Sequence, residues 1–229
     1  MGGVTAHSLR VSVVDDHSLF AHTLVIGLRS DGLLAHCVDI DSETTFPQLI
    51  RTIEQHDPDV VLLDLDLGIP GDVMGLVRSL SAAGVAVVVV TGADDLARAG
   101  ESLTNGACAV IAKSEPFVEV IATVHRIRRG LPAMSDHEHG RLVRASQESM
   151  AARRALRQRF DLMSRREAEV LGLLMEGMTV SEIARARVVS ESTVRSQVKA
   201  ILSKLDVGSQ LTAVGRAHQI GWRPPGQVG

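Results

Sequence analysis

One stretch limits the folds open to this chain more than any other: Val60-Val61-Leu62-Leu63-Asp64-Leu65-Asp66. An unbroken apolar run rich in β-branched residues reads as a strand buried on both faces, which requires a parallel sheet covered by helices on either side. The run ends in carboxylates, and in open α/β sheets ligands gather beyond the carboxyl ends of the strands. Asp64 is therefore the candidate reacting group. An Asp-x-Asp ending also opens one type of phosphatase, in which the first Asp attacks a phosphate ester, so the choice of chemistry rests on the remainder of the chain.

The flanking sequence repeats one unit, a short apolar strand, a turn and an amphipathic helix. Strands are expected over 9–14, 33–39, 60–66, 85–90 and 109–112, and helices over 17–30, 46–55, 73–82, 95–104 and 116–128. Five such pairs in about 120 residues imply a doubly wound α/β domain with a five-stranded parallel sheet. The strand ends then share one edge. Asp15 and Asp16 come at the end of the first strand, Asp64 of the third, Thr91 of the fourth and Lys113 of the fifth. Three converging carboxylates cannot all stay ionised without a cation, and hard oxygen ligands with room for water suit Mg²⁺. With such a cation drawing charge from a phosphoryl group, Asp64 can attack phosphorus; Lys113 would pair with the phosphoryl oxygens and Thr91 would donate its hydroxyl to one of them.

The segments Val13-Val14-Asp15-Asp16-His17-Ser18-Leu19-Phe20, Leu62-Leu63-Asp64-Leu65, Thr91-Gly92-Ala93 and Gly106-Ala107…Lys113-Ser114 resemble the receiver domain of a bacterial two-component response regulator of the NarL/LuxR type. The resemblance implies a flavodoxin-like sheet and an Asp64 phosphorylated by a sensor histidine kinase. It also implies Mg²⁺ held by Asp15, Asp16 and Asp64, with Asp66 adding its backbone carbonyl. Two positions depart from the family pattern. Gly68 stands where the family places Pro, with Pro70 two residues on, and Val110 stands where the family tends to carry an aromatic switch residue.

Charge divides the chain. Residues 1–125 carry 6 Lys and Arg against 17 Asp and Glu, a net of −11, whereas 126–229 carry 18 against 10, a net of +8. An acidic front half and a basic back half point to a cation site in the first and a polyanion partner for the second. Cys37 and Cys108 are isolated, and no signal peptide precedes them, which points to a reducing cytoplasm and no disulfide. The longest strongly apolar run, 85–90, is far too short to span a membrane. His7, His17, His22 and His36 lack ligand spacing and read as surface or packing residues.

After Gly130-Leu131-Pro132 a polar loop is expected over 133–140, followed by a helix over 142–160. Ser164-Arg165-Arg166-Glu167 and Thr179-Val180-Ser181-Glu182 are capping boxes, and Ser190 opens a third helix, 191–205. A short helix, a tight turn and a longer helix form a helix-turn-helix. Ser192, Arg195, Ser196 and Lys199 lie on the outer face of the third helix, placed to meet base edges in a major groove; Arg165, Arg166 and Lys204 would contact phosphates. Residues 163–214 resemble the LuxR-type DNA-binding domain. That resemblance implies double-stranded DNA as partner, Glu167 as the first-helix acid, and a homodimer formed through the segment from Leu211 to Val214. Gln197 and Gln210 replace the family's usual His and Arg.

Together these readings divide the chain into a receiver over 1–130, a linker with a helix over 131–160, a helix-turn-helix domain over 161–222 and a disordered tail over 223–229. The function expected is a non-enzymatic, phosphorylation-controlled transcriptional regulator. Two alternatives stay open: a regulator whose receiver acts constitutively without phosphorylation, and an Asp-x-Asp phosphatase using Asp64 and Asp66.

Overall fold

The computed structural model describes residues 8–41, 43–92 and 95–224. Ala93 of the Thr91-Gly92-Ala93 segment, and the tail beyond 224, lie outside the described residues. The chain divides into two compact units, Met1–Glu148 and Ser149–Gly229.

The first unit alternates strand and helix: β1 (Arg10–Val14), α1 (Ser18–Ser30), β2 (Leu34–Val38), α2 (Phe46–Gln55), β3 (Val60–Leu63), α3 (Val73–Ala82), β4 (Ala86–Thr91), α4 (Leu96–Thr104), β5 (Ala109–Ala112) and α5 (Phe117–Arg128). The strands form one parallel sheet in the order β2-β1-β3-β4-β5. The central run is sandwiched, and its period of two decides which side chain goes where. Val60 and Leu62 pack with Leu24, Leu28 and Val124 from α1 and α5, whereas Val61 and Leu63 pack with Leu49, Ile53, Leu76 and Val77 from α2 and α3. All four side chains are buried, and each such burial contributes about 1.5–3 kcal/mol. The sequence run has no polar residue because neither face ever meets water.

Register brings the strand ends together. Val14 lies opposite Leu63, so Asp15 and Asp64 leave neighbouring strands side by side, and the Asp64 amide donates to the Val14 carbonyl at 2.9 Å. On the far side Thr91 pairs with Ala112, and the Lys113 amide donates to the Thr91 carbonyl at 2.8 Å.

The linker helix begins earlier than the sequence suggested. Helix α6 runs Asp136–Asp161, so the loop expected over 133–140 is confined to its first residues. Helix-terminus chemistry explains the difference. Asp136 and Glu138 place acid in the first turn, the Ser135 hydroxyl accepts the Glu138 amide at 3.2 Å, and Arg141 closes on Glu138. Two polar histidines and Gly140 hid that start. Leu142 and Ser146 are buried in the first unit, and Leu156 and Phe160 pack in the core of the second.

The second unit holds α7 (Arg165–Met175), α8 (Val180–Ala186), α9 (Glu191–Leu205) and α10 (Gln210–Gln219). Both capping boxes form as the spacing requires. Val170, Leu171, Ile183, Val194, Val198, Ile201 and Leu205 close a small core, and Trp222 packs on its edge with its ring 5.3 Å from that of Phe160.

Candidate functional site

The acid cluster sits at the carboxyl edge of the sheet. Asp15 and Asp64 are buried, and the Lys113 ammonium lies between them, 2.6 Å from Asp15 Oδ2 and 2.8 Å from Asp64 Oδ2. Burial pushes the Asp64 carboxyl above its ordinary range; the bond from Lys113 and the Asp66 amide, which donates to Asp64 Oδ1 at 3.2 Å, oppose this only in part. Burial works against the Lys113 charge, yet the two carboxylates outweigh it and hold the ammonium protonated above its ordinary value. Two buried acids share one cation, so the cluster keeps a net negative charge. Thr91 is buried at the neighbouring strand end.

Asp15, Asp16, His17 and Asp64 each offer a ligand atom within 4.8 Å of the others, the arrangement expected of a divalent-metal site. Carboxylate oxygens dominate the set, and with an open hollow beside them for water they suit a hard cation. That hollow, about 480 Å³, is lined by His17, Phe20, Asp64, Asp66, Gly92 and Lys113. Gly68 adopts φ +65°, and a side chain there would press on Asp16 Oδ2. A glycine in the position where Pro was expected thus keeps the Asp16 carboxylate clear.

Three residues in this neighbourhood had no site role assigned from the sequence. His17, read there as surface or packing, places Nδ1 2.7 Å from Asp16 and 3.3 Å from Asp15, while its amide donates to Asp15 at 2.8 Å. Its adjacency to the Asp pair was the available signal. Phe20 lies one helical turn on, with its ring centroid 5.0 Å from the Lys113 ammonium. Arg98 of α4 donates Nη2 to the Leu65 carbonyl at 2.6 Å and Nη1 to the Asp66 carboxylate. No periodicity marks Arg98, because the contact spans 32 residues between two elements.

In the second unit Ser192, Arg195, Ser196 and Lys199 are all exposed on α9. Arg195 pairs with Glu191 at 3.1 Å, and Glu191 also accepts from Ser181 of α8 at 2.6 Å, which draws its carboxyl below the usual range. Arg165 and Arg166 are exposed, the former 3.2 Å from Glu169. Lys204 lies differently: its ammonium is 2.7 Å from Glu167, a carboxylate that also accepts the Ser164 amide at 2.6 Å. Leu211 at the start of α10 is 83% exposed, whereas Val214 packs against the core.

A parallel sheet with an acid cluster at its carboxyl edge, joined to a helix-turn-helix with exposed Arg195 and Lys199 on α9, is the architecture of a signal-receiving module linked to a nucleic-acid-binding one. Residues 11–125 match the response regulator receiver domain family, and residues 161–217 match the bacterial regulatory proteins of the luxR family. The chain belongs to the response regulators of the NarL/LuxR type, DNA-binding transcription factors of two-component systems rather than classical enzymes. It is 28% identical over 219 residues to the probable transcriptional regulatory protein NarL of Mycobacterium tuberculosis H37Rv, spanning 95% of this chain and 97% of that protein. It is also 28% identical over 215 residues to the nitrate/nitrite response regulator NarL of Escherichia coli K12, spanning 91% and 94%. Among solved structures, RcsB in a form with two dimers bound to two parallel DNAs matches with a TM-score of 0.50 and 19% identity over 93% of this chain and 100% of that one, a likeness of fold. Family membership disposes of the phosphatase alternative, and no helix among the described residues is long and apolar enough to cross a membrane.

Proposed function

We propose that this response regulator is switched by Mg²⁺-dependent phosphorylation of Asp64, with a histidine kinase as donor, and that the switch controls binding of a homodimer to double-stranded DNA. The observation that carries the reading is the Lys113 ammonium held between Asp15 and Asp64 at 2.6 and 2.8 Å, in a buried cluster with excess negative charge. Asp64 is poised beside the open hollow, and its carboxylate oxygen forms the new bond to phosphorus as the P–N bond of a phosphohistidine breaks. The electron pair leaves on the imidazole nitrogen. Lys113, freed from Asp64, pairs with a phosphoryl oxygen, and Thr91 donates its hydroxyl to another. Asp15, Asp16, Asp64 and the Asp66 carbonyl would hold the divalent ion, which when bound neutralises charge on the phosphoryl oxygens.

The functional division follows: a receiver over 1–130, a linker over 131–160 and a DNA-binding domain over 161–222. Arg195, Ser196 and Lys199 read base edges, each good pair giving about 1–3 kcal/mol of discrimination. The exposed Leu211 meets its counterpart in a second copy. Free Cys37 and Cys108 fit a cytoplasmic setting.

Incubation with acetyl phosphate and Mg²⁺, followed by intact mass, tests the acceptor. The wild type gains one phosphoryl group and Asp64→Asn gains none; equal gain by both would remove Asp64 from the mechanism. Val110, a residue of β5 standing where an aromatic ring was expected, favours a second reading in which the receiver acts without phosphorylation. DNA affinity unchanged by the donor in the wild type would select it.

A further inference from the structure

In the second unit three arginines face a hollow that the reading of DNA does not use. Arg153, Ala155, Leu156 and Arg159 of α6, Asp206 at the end of α9 and Arg216 of α10 line a space of about 470 Å³, within the range that small-molecule sites occupy. Arg159 Nη1 donates to the Leu205 carbonyl at 3.2 Å and to Asp206 at 3.1 Å, and Arg216 Nη1 donates to the same carbonyl at 3.3 Å. Two guanidinium groups thus crowd one neutral oxygen at the C-terminal end of α9. Asp206, the acid of this lining, is 79% exposed, so water screens much of its charge. Among the described residues neither Arg153 nor Arg216 has a carboxylate partner, and Arg153 makes no hydrogen bond at all. Each guanidinium carries five N–H donors, most of them unspent here.

We propose that this hollow binds a small phosphate monoester with an apolar or aromatic body. A phosphate dianion takes up the excess positive charge, and the planar fork of a guanidinium matches its oxygens two at a time. Arg153 and Arg216 supply the free donors. Ala155 and Leu156 offer the apolar wall on which the body of the ester packs, a wall that bare inorganic phosphate leaves wet. The site is separate from both surfaces proposed for this unit. Ser192 and Asp206 lie about 20 Å apart along the axis of α9, so a ligand beside Asp206 leaves the base-reading end clear. On α10, Arg216 is roughly 140° around the helix from Leu211, so the face assigned to the second copy does not close the hollow. A bound ester ties α6 to α10 and stabilises the second unit by mass action, whether or not Asp64 is phosphorylated.

The probe is phenyl phosphate, titrated calorimetrically into the full chain at physiological ionic strength with a chelator present, so that the receiver takes up no phosphoryl group. One equivalent is expected to bind with a Kd below about 1 mM and to raise the thermal midpoint read by Trp222 fluorescence. Phenol and inorganic phosphate, each lacking half of the recognition, bind about tenfold more weakly or worse. Arg153→Gln and Arg216→Gln each weaken phenyl phosphate about tenfold or more, and Arg216→Lys, which keeps the charge but not the fork, recovers part of the loss. Arg153 supports no protein contact, so its variant keeps the fold and isolates the contact with the ligand. Absence of binding up to about 10 mM phenyl phosphate overturns the proposal. Equal weakening by Lys199→Met reveals diffuse attraction to a basic surface and overturns it too. Displacement of phenyl phosphate by duplex DNA assigns the arginines to the DNA backbone and refutes a small-molecule site.

Discussion

Replacing Lys204 by Met tests whether this lysine holds the second unit together or holds DNA. Its ammonium lies 2.7 Å from Glu167, and the side chains are 34% and 11% exposed respectively. At that distance and an effective dielectric near 20 the gross attraction is about 6 kcal/mol, but desolvation of the carboxylate cancels most of it. A charge-assisted bond of this kind nets about 1.5–3 kcal/mol, and the partial exposure of Lys204 lowers this to about 1–2 kcal/mol. For a domain of this size that corresponds to a drop in Tm of roughly 5–10 °C. Trp222 is the sole tryptophan and packs on the second core, so its fluorescence follows that unit within the full chain. The pH dependence adds a second criterion. Burial alone would raise the Glu167 carboxyl, yet Lys204 and the Ser164 amide hold it below its usual value of 4.5. A folded pKa below the unfolded one gives stability that is present above about pH 4.5 and lost as the pH falls through the folded value. The gap between wild type and Lys204→Met is therefore full at pH 7 and closes as Glu167 is protonated. An unchanged Tm at pH 7, with DNA affinity and its salt dependence reduced instead, would refute the reasoning and make Lys204 a phosphate contact. Lys199→Met, altered on the exposed face of α9, serves as the control and leaves stability within about 0.5 kcal/mol of the wild type.

Val188, in the turn between α8 and α9, has φ +54° and is 91% exposed, a strained conformation for a β-branched residue with no burial to offset it. Val188→Asn is expected to stabilise the second unit by about 1 kcal/mol, seen as a higher midpoint in Trp222 fluorescence; a lower midpoint would show that the strain estimate is wrong. On β2, burial with further contributions from His56 and Arg29 lowers the pKa of His36 to about 4, and its ring stacks on His56 at 3.8 Å. The unfolded chain takes up that proton first, so receiver stability is lost as the pH falls from about 6.5 to 4, by about 1–2 kcal/mol after allowing for solvent screening. Far-ultraviolet circular dichroism melts of wild type and His36→Gln should show a weaker pH dependence in the variant, and parallel curves would exclude His36 as the source.

Sequence by itself determined the elements and the chemistry of their ends. A continuous apolar run such as Val60–Leu63 has no solvated solution, so a sheet with two covered faces was forced, and the acids, hydroxyl and ammonium at the strand tips followed from chain order. The capping boxes at Ser164 and Thr179 were equally legible, because a cap is satisfied within four residues. The start of α6 was not, since histidines and Gly140 blur a helix whose support comes from the capping Ser135 and the Glu138–Arg141 pair. Tertiary structure alone decided what depends on contacts between distant segments. Register put Asp15 beside Asp64, and α4 brought Arg98 to Leu65 and Asp66. Packing of α7 against α9 turned Lys204 toward Glu167, a pairing 37 residues apart that its charge alone did not announce. The physical reason is common to all three: an ion pair or a close approach leaves no periodicity in the chain, and its partner is named only when packing brings the two segments together.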